Sequence, residues 1–139
     1  MSLKNLRRTL KIILDSSFLF IPSQFNLDIF EELTKALNRR FEPVILSSTH
    51  KELEKIAGNK STKLRRQATF ALKLAQRCRL IDVERREGES NDDVIVRVAS
   101  EMGWCVATND RGLRRRLRPL GVTVVYLRQK SRLAIDGAT

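Results

Sequence analysis

Cysteine is scarce in this 139-residue chain, which holds only Cys78 and Cys105, alongside one histidine, one tryptophan and one tyrosine. Two thiols and one imidazole cannot assemble a disulfide framework or a tetrahedral Cys/His zinc site. Two separate buried thiols in a reducing, cytoplasmic compartment are expected, with a Cys78–Cys105 bridge as the alternative that a hyperthermophile cytosol would allow. With 3 Pro and 6 Gly, a collagen-like or linker-dominated chain is excluded. Long apolar runs are missing too, and no stretch reaches the length of a membrane span. Lys4, Arg7 and Arg8 before Ile12 to Ile21 imitate an export signal, but Lys11 and Asp15 break its apolar character. No GxxxxGK[ST] loop, GxGxxG fingerprint or GxSxG elbow occurs, so Walker-type nucleotide hydrolysis, dinucleotide redox chemistry and a serine triad have no support. The sole histidine, His50, reads as a solvated residue near a helix start.

What the chain does have is charge of one sign. Lys plus Arg number 27 against 16 Asp plus Glu, a formal +11 with a pI near 10.5. Such an excess attracts a polyanion, and nucleic acid is the first partner to consider; a basic surface kept for solubility is the plainer alternative. The hydrophobic fraction of 42% and charged fraction of 31% are globular, and the length favours one domain.

Apolar patterning alternates between strands and helices. Lys11 to Asp15 is a short β-branched run closed by an acid, and Phe25, Ile29, Phe30, Leu33 and Leu37 mark a helix from about Ser23 to Arg39. Pro43 to Ser47 reads as a second strand, followed by a short helix through Glu52 and Leu53 that Gly58 stops. A longer helix has the stripe Leu64, Ala68, Ala71, Leu72 and Ala75, and Leu80 to Val83 is a third strand. Ser90-Asn91-Asp92-Asp93 forms a capping box opening a helix with Val94, Ile95, Val98 and Ala99 on one face. Trp104 to Thr108 is a fourth strand, Asp110 to Leu117 a basic helix, and Val122 to Leu127 a fifth strand. Trp104 and Tyr126 read as packing residues at core or rim. The alternation predicts an α/β fold: a central, twisted, mainly parallel five-stranded sheet with helices on both faces. Residues 1–130 form the domain and residues 131–139 a C-terminal tail.

Ligands of open α/β sheets collect at the carboxyl ends of the strands. Asp15 ends the first strand, Asp110 follows the fourth, Asp92 opens the helix leading into the fourth, and Glu52 lies just beyond the second. Carboxylates brought together raise one another's pKa, and a hard Mg²⁺ or Mn²⁺ relieves the repulsion. Acids at helix starts also serve as caps, an adequate use for Asp92, Asp93 or Asp110 taken singly. Asp15 differs, because core-forming residues flank it on both sides and an unpaired charge there is costly. Residues three or four apart share a helix face. Asp92 therefore lines up with Ile95 and Ala99, toward the sheet, while Asp93 is the capping-box acid with Arg97 as its i+4 neighbour.

Asp15-Ser16-Ser17, Glu52-Leu53, Asp92 with Ile95 and Ala99, and Thr108-Asn109-Asp110 resemble, in order, the acidic motifs of the PIN-domain ribonucleases. The resemblance spans nearly the whole chain and departs at Ser17, where many relatives carry Asn. Val106 to Leu113, with the Arg114 to Gly121 stretch, is similar to archaeal PIN proteins related to the nuclease that processes small-subunit ribosomal RNA; the VapC toxins share the acids. The resemblance implies a divalent-ion-dependent endonuclease acting on single-stranded or looped RNA, such as a ribosomal RNA precursor. Asp15, Asp92 and Asp110 would be the metal ligands, with Glu52 a ligand or water-orienting base and Ser17, Thr108, Asn109 and Asp93 in support. Such an ion lowers the pKa of water and offsets charge on the scissile phosphate. Arg111, Arg114, Arg115, Arg116 and Arg118 follow Asp110 directly. Arg111, Arg114, Arg115 and Arg118, with Lys63 and Arg66 of a second patch, are the candidate RNA contacts; a solvated helix face is their ordinary alternative. A homodimer, an antitoxin or a ribosome-assembly partner follows by family analogy only. A noncatalytic RNA-binding scaffold is the competing class, and the complete acidic quartet counts against it.

Overall fold

A computed structural model describes residues 9–137; Lys4, Arg7 and Arg8, and the last two residues of the expected tail, lie outside them. The chain runs β1 (Leu10–Leu14), α1 (Ser16–Leu19), α2 (Ile21–Phe25), α3 (Ile29–Leu37), β2 (Phe41–Leu46), α4 (Ser47–Ala57) and α5 (Thr62–Ala75). It continues with β3 (Arg79–Ile81), α6 (Asn91–Met102), β4 (Cys105–Ala107), α7 (Arg111–Leu117), a 3₁₀ turn (Arg118–Leu120), β5 (Val124–Arg128) and β6 (Arg132–Asp136). The strands form one sheet in the order β3-β2-β1-β4-β5-β6, parallel except for β6.

The pleat points successive side chains to opposite faces, and β1 uses both. Ile12 and Leu14 face a core with Phe18, Ile21, Leu33, Leu53 and Ala71 from α1 to α5. Ile13 faces the other core, with Ile95, Val98, Leu113 and Leu117 from α6 and α7. Burial on both sides explains why the strand is an unbroken apolar run rather than an alternating one. The helices thus cover both faces, as the pattern predicts. Among the described residues no helix is long and apolar enough to cross a membrane. Both cysteines are free thiols, and burial pushes the Cys78 thiol up to about 12.

Four details depart from the sequence reading. The sheet has six strands rather than five, because Arg132–Asp136, within the expected tail, pairs antiparallel with β5 through Val125–Ile135 and Leu127–Leu133. The connecting turn holds Gln129 and Lys130 at φ of 55° and 61°, a left-handed conformation that Gly or Asn usually announces. The single helix expected from Ser23 to Arg39 is divided, since Asn26 turns left-handed and Asp28 accepts the Phe30 and Glu31 N–H groups to start α3 afresh. Leu64 is 44% exposed, because α5 buries the narrower stripe Ala68, Ala71 and Ala75. Arg97 pairs with Glu89 rather than Asp93.

Leu133 of β6 is 8% exposed within the first core. Leu133→Ala is expected to cost about 2 kcal/mol or more of unfolding free energy in urea. An unchanged midpoint and slope would return residues 131–139 to the status of a tail.

Candidate active site

Strand order reverses between β1 and β4, the neighbours from which the chain was wound in opposite directions. A crevice opens at the carboxyl ends of such a pair, and Asp15 sits at its floor, directly after β1, with only 3% of its surface exposed. Its own N–H donates to the Ala107 carbonyl of β4 at 3.0 Å. The carboxylate is held by three donors. Ser16 N–H reaches Oδ1 at 2.8 Å, and the Ser17 and Thr108 hydroxyls reach Oδ2 at 2.6 and 2.8 Å. Those hydroxyls also organise the facing turn: Ser17 Oγ accepts the Asn109 N–H and Thr108 Oγ1 accepts the Asp110 N–H, both at 3.0 Å. Ser17, the departure from the family pattern, therefore supplies one of the three hydrogen bonds that hold the first acid.

The other carboxylates come in from three helices. Glu52, one turn into α4, accepts the Ser16 hydroxyl at 2.7 Å. Asp110 caps α7, its Oδ1 accepting the Leu113 N–H at 3.1 Å. A Cβ on Gly112 would come within 3.1 Å of that oxygen, so glycine there keeps Asp110 approachable. Asp92, half-buried on α6, makes no hydrogen bond or ion pair among the described residues. Its pKa is pushed up to about 6, by burial first and then by the charges of Asp15, Asp110 and Glu52, with Arg116 opposing. That Asp92 feels all three acids places the four around one mouth.

Asp93, next along the chain, has the separate role its register implies. It completes the capping box with Ser90 and takes the Arg116 guanidinium at 2.8 Å, and these bonds hold its carboxyl below the usual range. The sequence reading missed two positioning groups. Ser16 connects Asp15 to Glu52, and buried Asn91 accepts the Ser48 and Thr49 hydroxyls at 2.7 and 3.1 Å, fastening α6 to α4. Neither Ser nor Asn carries a signal beyond cap propensity in the bare sequence.

Oxygen-only donors of one sign suit a hard divalent cation. Among the described residues no group of three or more His, Cys, Asp or Glu is drawn together closely enough to hold a metal ion. A Mg²⁺-type ion does not need such a group, since it keeps several waters and takes one or two carboxylates plus substrate phosphate. The unpartnered Asp92, repelled by three neighbours, is the observation that fits a cation here.

Arg111, Arg114, Arg115 and Arg118 gather with Pro119 and Asp136 around a groove of about 580 Å³. Asp136 engages Arg114 and Arg118, each at 3.2 Å, while Arg111 and Arg115 make no ion pair among the described residues. Lys63 and Arg66 lie apart, exposed on α5, and Arg66 borders a different concavity with Arg65, Phe70 and Lys73. His50 is on α4, paired with Glu54 at 3.1 Å.

Comparison with known proteins gives a consistent picture. The family described as a PIN like domain matches residues 12–130. Ribonuclease VapC4 of Methanocaldococcus jannaschii is 32% identical over 130 residues, which is 91% of this chain and 97% of that protein. The rRNA-processing protein FCF1 of Saccharomyces cerevisiae is 29% identical over 112 residues, 79% of this chain and 55% of that protein. Among solved structures, the PIN domain endonuclease Utp24 matches with a TM-score of 0.76 and 27% identity, covering 93% of this chain and 92% of that one.

The raised pKa of Asp92 has a measurable sign. A carboxyl whose folded pKa lies above its unfolded value contributes stability that is present at low pH and lost as pH rises through the folded pKa, here toward about 6. In EDTA, Asp92→Asn is expected to melt higher than wild type at pH 7, with the gap shrinking toward pH 4. A gap that is absent, or that widens on acidification, would contradict the placement of Asp92 among the other acids.

Proposed function

Because the chain belongs to the PIN like domain family, we propose that it is a divalent-metal-dependent endoribonuclease that hydrolyses phosphodiester bonds in single-stranded or looped RNA during ribosomal RNA maturation. The observation that carries this reading is the convergence of Asp15, Glu52, Asp92 and Asp110 at the β1–β4 crevice, with Asp92 left unpartnered. Asp15, Asp92 and Asp110 are the side chains that would hold Mg²⁺ or Mn²⁺, one or two of them directly and the rest through its waters. When bound there, such an ion would supply an acidified water and offset negative charge on the scissile phosphate.

The chain's own residues do the rest. Ser16 N–H, Ser17 and Thr108 hold the Asp15 carboxylate in place at the crevice floor. Glu52, with one oxygen on the Ser16 hydroxyl, has its other oxygen available to orient the attacking water and receive its proton. Arg111 and Arg115, whose guanidiniums are not committed to acids of the described residues, grip backbone phosphates on the path into the crevice, and Arg114 and Arg118, both paired with Asp136, contact the RNA beside them. Lys63 and Arg66 extend the basic surface on α5.

Ribosomal RNA is favoured as substrate by the Val106 to Gly121 segment and by the likeness to the rRNA-processing protein FCF1. A ribosome-assembly partner and a cytoplasmic location accompany that reading. A second reading, a toxin ribonuclease restrained by an antitoxin, is supported by the match to Ribonuclease VapC4 along 97% of its length. Growth arrest on expression, relieved by a co-encoded partner, would favour the toxin; a homodimer suits either.

Purified protein incubated with small-subunit precursor RNA is expected to release discrete fragments in Mn²⁺ or Mg²⁺ and none in EDTA. Asp15→Asn, which keeps shape and loses charge, should slow cleavage by about 100-fold or more with its fold intact by circular dichroism. An Asp15→Asn preparation as active as wild type would falsify the assignment.

A further inference from the structure

Beside Asp110 lies a concavity of about 270 Å³ that phosphate gripping does not account for. Asp110 and Arg111, Arg114 of α7, Tyr126 and Arg128 of β5 and Gln129 of the β5–β6 turn are among its lining residues. The Arg114 guanidinium carbon lies 3.5 Å from the centroid of the Tyr126 ring, a close cation–π stack. Its Nε donates to Asp136 Oδ2 at 3.2 Å. Ring and carboxylate together fix the guanidinium in one plane. Its two terminal amino groups make no hydrogen bond among the described residues, so they remain a pair of coplanar donors at the cavity.

We propose that this cavity seats one nucleobase of the RNA next to the scissile phosphate, guanine in preference to the other bases, and that Arg114 braced on Tyr126 reads it. The proposal rests on the endoribonuclease reading above and names what would make that activity sequence-selective. Guanine presents two adjacent acceptors, O6 and N7, which a planar guanidinium meets with two parallel N–H bonds. Adenine puts an amino donor where O6 would be, and uracil sets an N–H between its two carbonyls; cytosine offers O2 and N3 as adjacent acceptors, but its single ring covers less of the Arg114–Tyr126 stack than a purine does. A single base also suits the volume, which is smaller than that of drug-sized ligand sites. Arg111 and Arg128 line the same cavity and suit the phosphates on either side of the base, while Arg114, paired through Nε with Asp136, is left to the base edge. Placement follows from the shared wall: Asn109 and Asp110 border the cavity and the acidic mouth alike. Unpaired bases splayed into such slots and stacked on aromatic or guanidinium planes are the usual means of reading RNA sequence.

Two measurements test this. Single-turnover cleavage of an RNA pool randomised around the cut should show about a tenfold preference for guanine at one flanking position. In Tyr126→Leu and Arg114→Lys the ratio between guanine and the other bases should fall toward one, whereas Tyr126→Phe, which keeps the ring, should retain it. The ratio is the readout because general loss of structure or phosphate affinity lowers all rates together. Separately, guanosine 5′-monophosphate titrated into the intact protein should shift the Tyr126 ring and Arg114 Nε–H NMR signals saturably, with cytidine 5′-monophosphate far weaker. Guanosine-selective shifts in a protein that cleaves no RNA would sink the nuclease reading and leave the pocket standing. Cleavage with no flanking preference, a preference untouched by both variants, or equal binding of the two nucleotides would overturn the proposal.

Discussion

The buried carboxylate of Asp15 is the constraint around which the crevice is organised. A charge that is 97% removed from solvent survives only if its lone pairs are satisfied, and three donors do so here: one N–H and two hydroxyls. The hydroxyls come from opposite sides of the strand-order reversal, Ser17 from the segment after β1 and Thr108 from the end of β4. Satisfying Asp15 therefore fixes the distance between the two turns that form the mouth. Because each hydroxyl also accepts an N–H from the Asn109-Asp110 segment, the placement of Asp110 depends on the same network.

Electrostatics then divides the acids by task. Glu52 and Asp93 are engaged by Ser16 and by Ser90 with Arg116, and Asp110 spends one oxygen on its helix cap. Asp92 has burial and the charges of Asp15, Asp110 and Glu52 against it, with Arg116 opposing, and no side-chain hydrogen bond among the described residues to offset them. Clustered negative charge of this kind is destabilising to the protein and useful to a cation. The arginines beyond Asp110 are divided similarly: Asp136 and Tyr126 brace Arg114, Asp136 and the Val122 carbonyl brace Arg118, and Asp93 holds Arg116. Arg111 and Arg115 make no ion pair among the described residues.

Much of this was legible in the chain. Two-sided apolar strands, the Ser90 capping box and acids placed just after strands are local signals, and each reads the same in isolation as in the fold. The separation of Asp92 from Asp93 followed from helix register alone. What escaped was set by tertiary context. β6 has no turn signature, since Gln129 and Lys130 adopt a conformation their residue types do not favour, and only pairing with β5 makes it a strand. The role of Tyr126 depends on Arg114 lying across it from α7, a contact with no local trace in the sequence. The partner of Asp93 was misread for a similar reason: Arg116 from another helix outcompetes the i+4 neighbour Arg97, which Glu89 has taken.

Asp15, Asp92 and Asp110 are proposed to hold the cation, and Mn²⁺ binding followed by electron paramagnetic resonance at pH 7 tests that most directly. Wild type should bind Mn²⁺, with affinity falling as pH drops through about 6, where Asp92 takes up a proton, and Asp15→Asn and Asp92→Asn should each bind far more weakly. Mn²⁺ affinity that is indifferent to both substitutions and to pH in that range would contradict it.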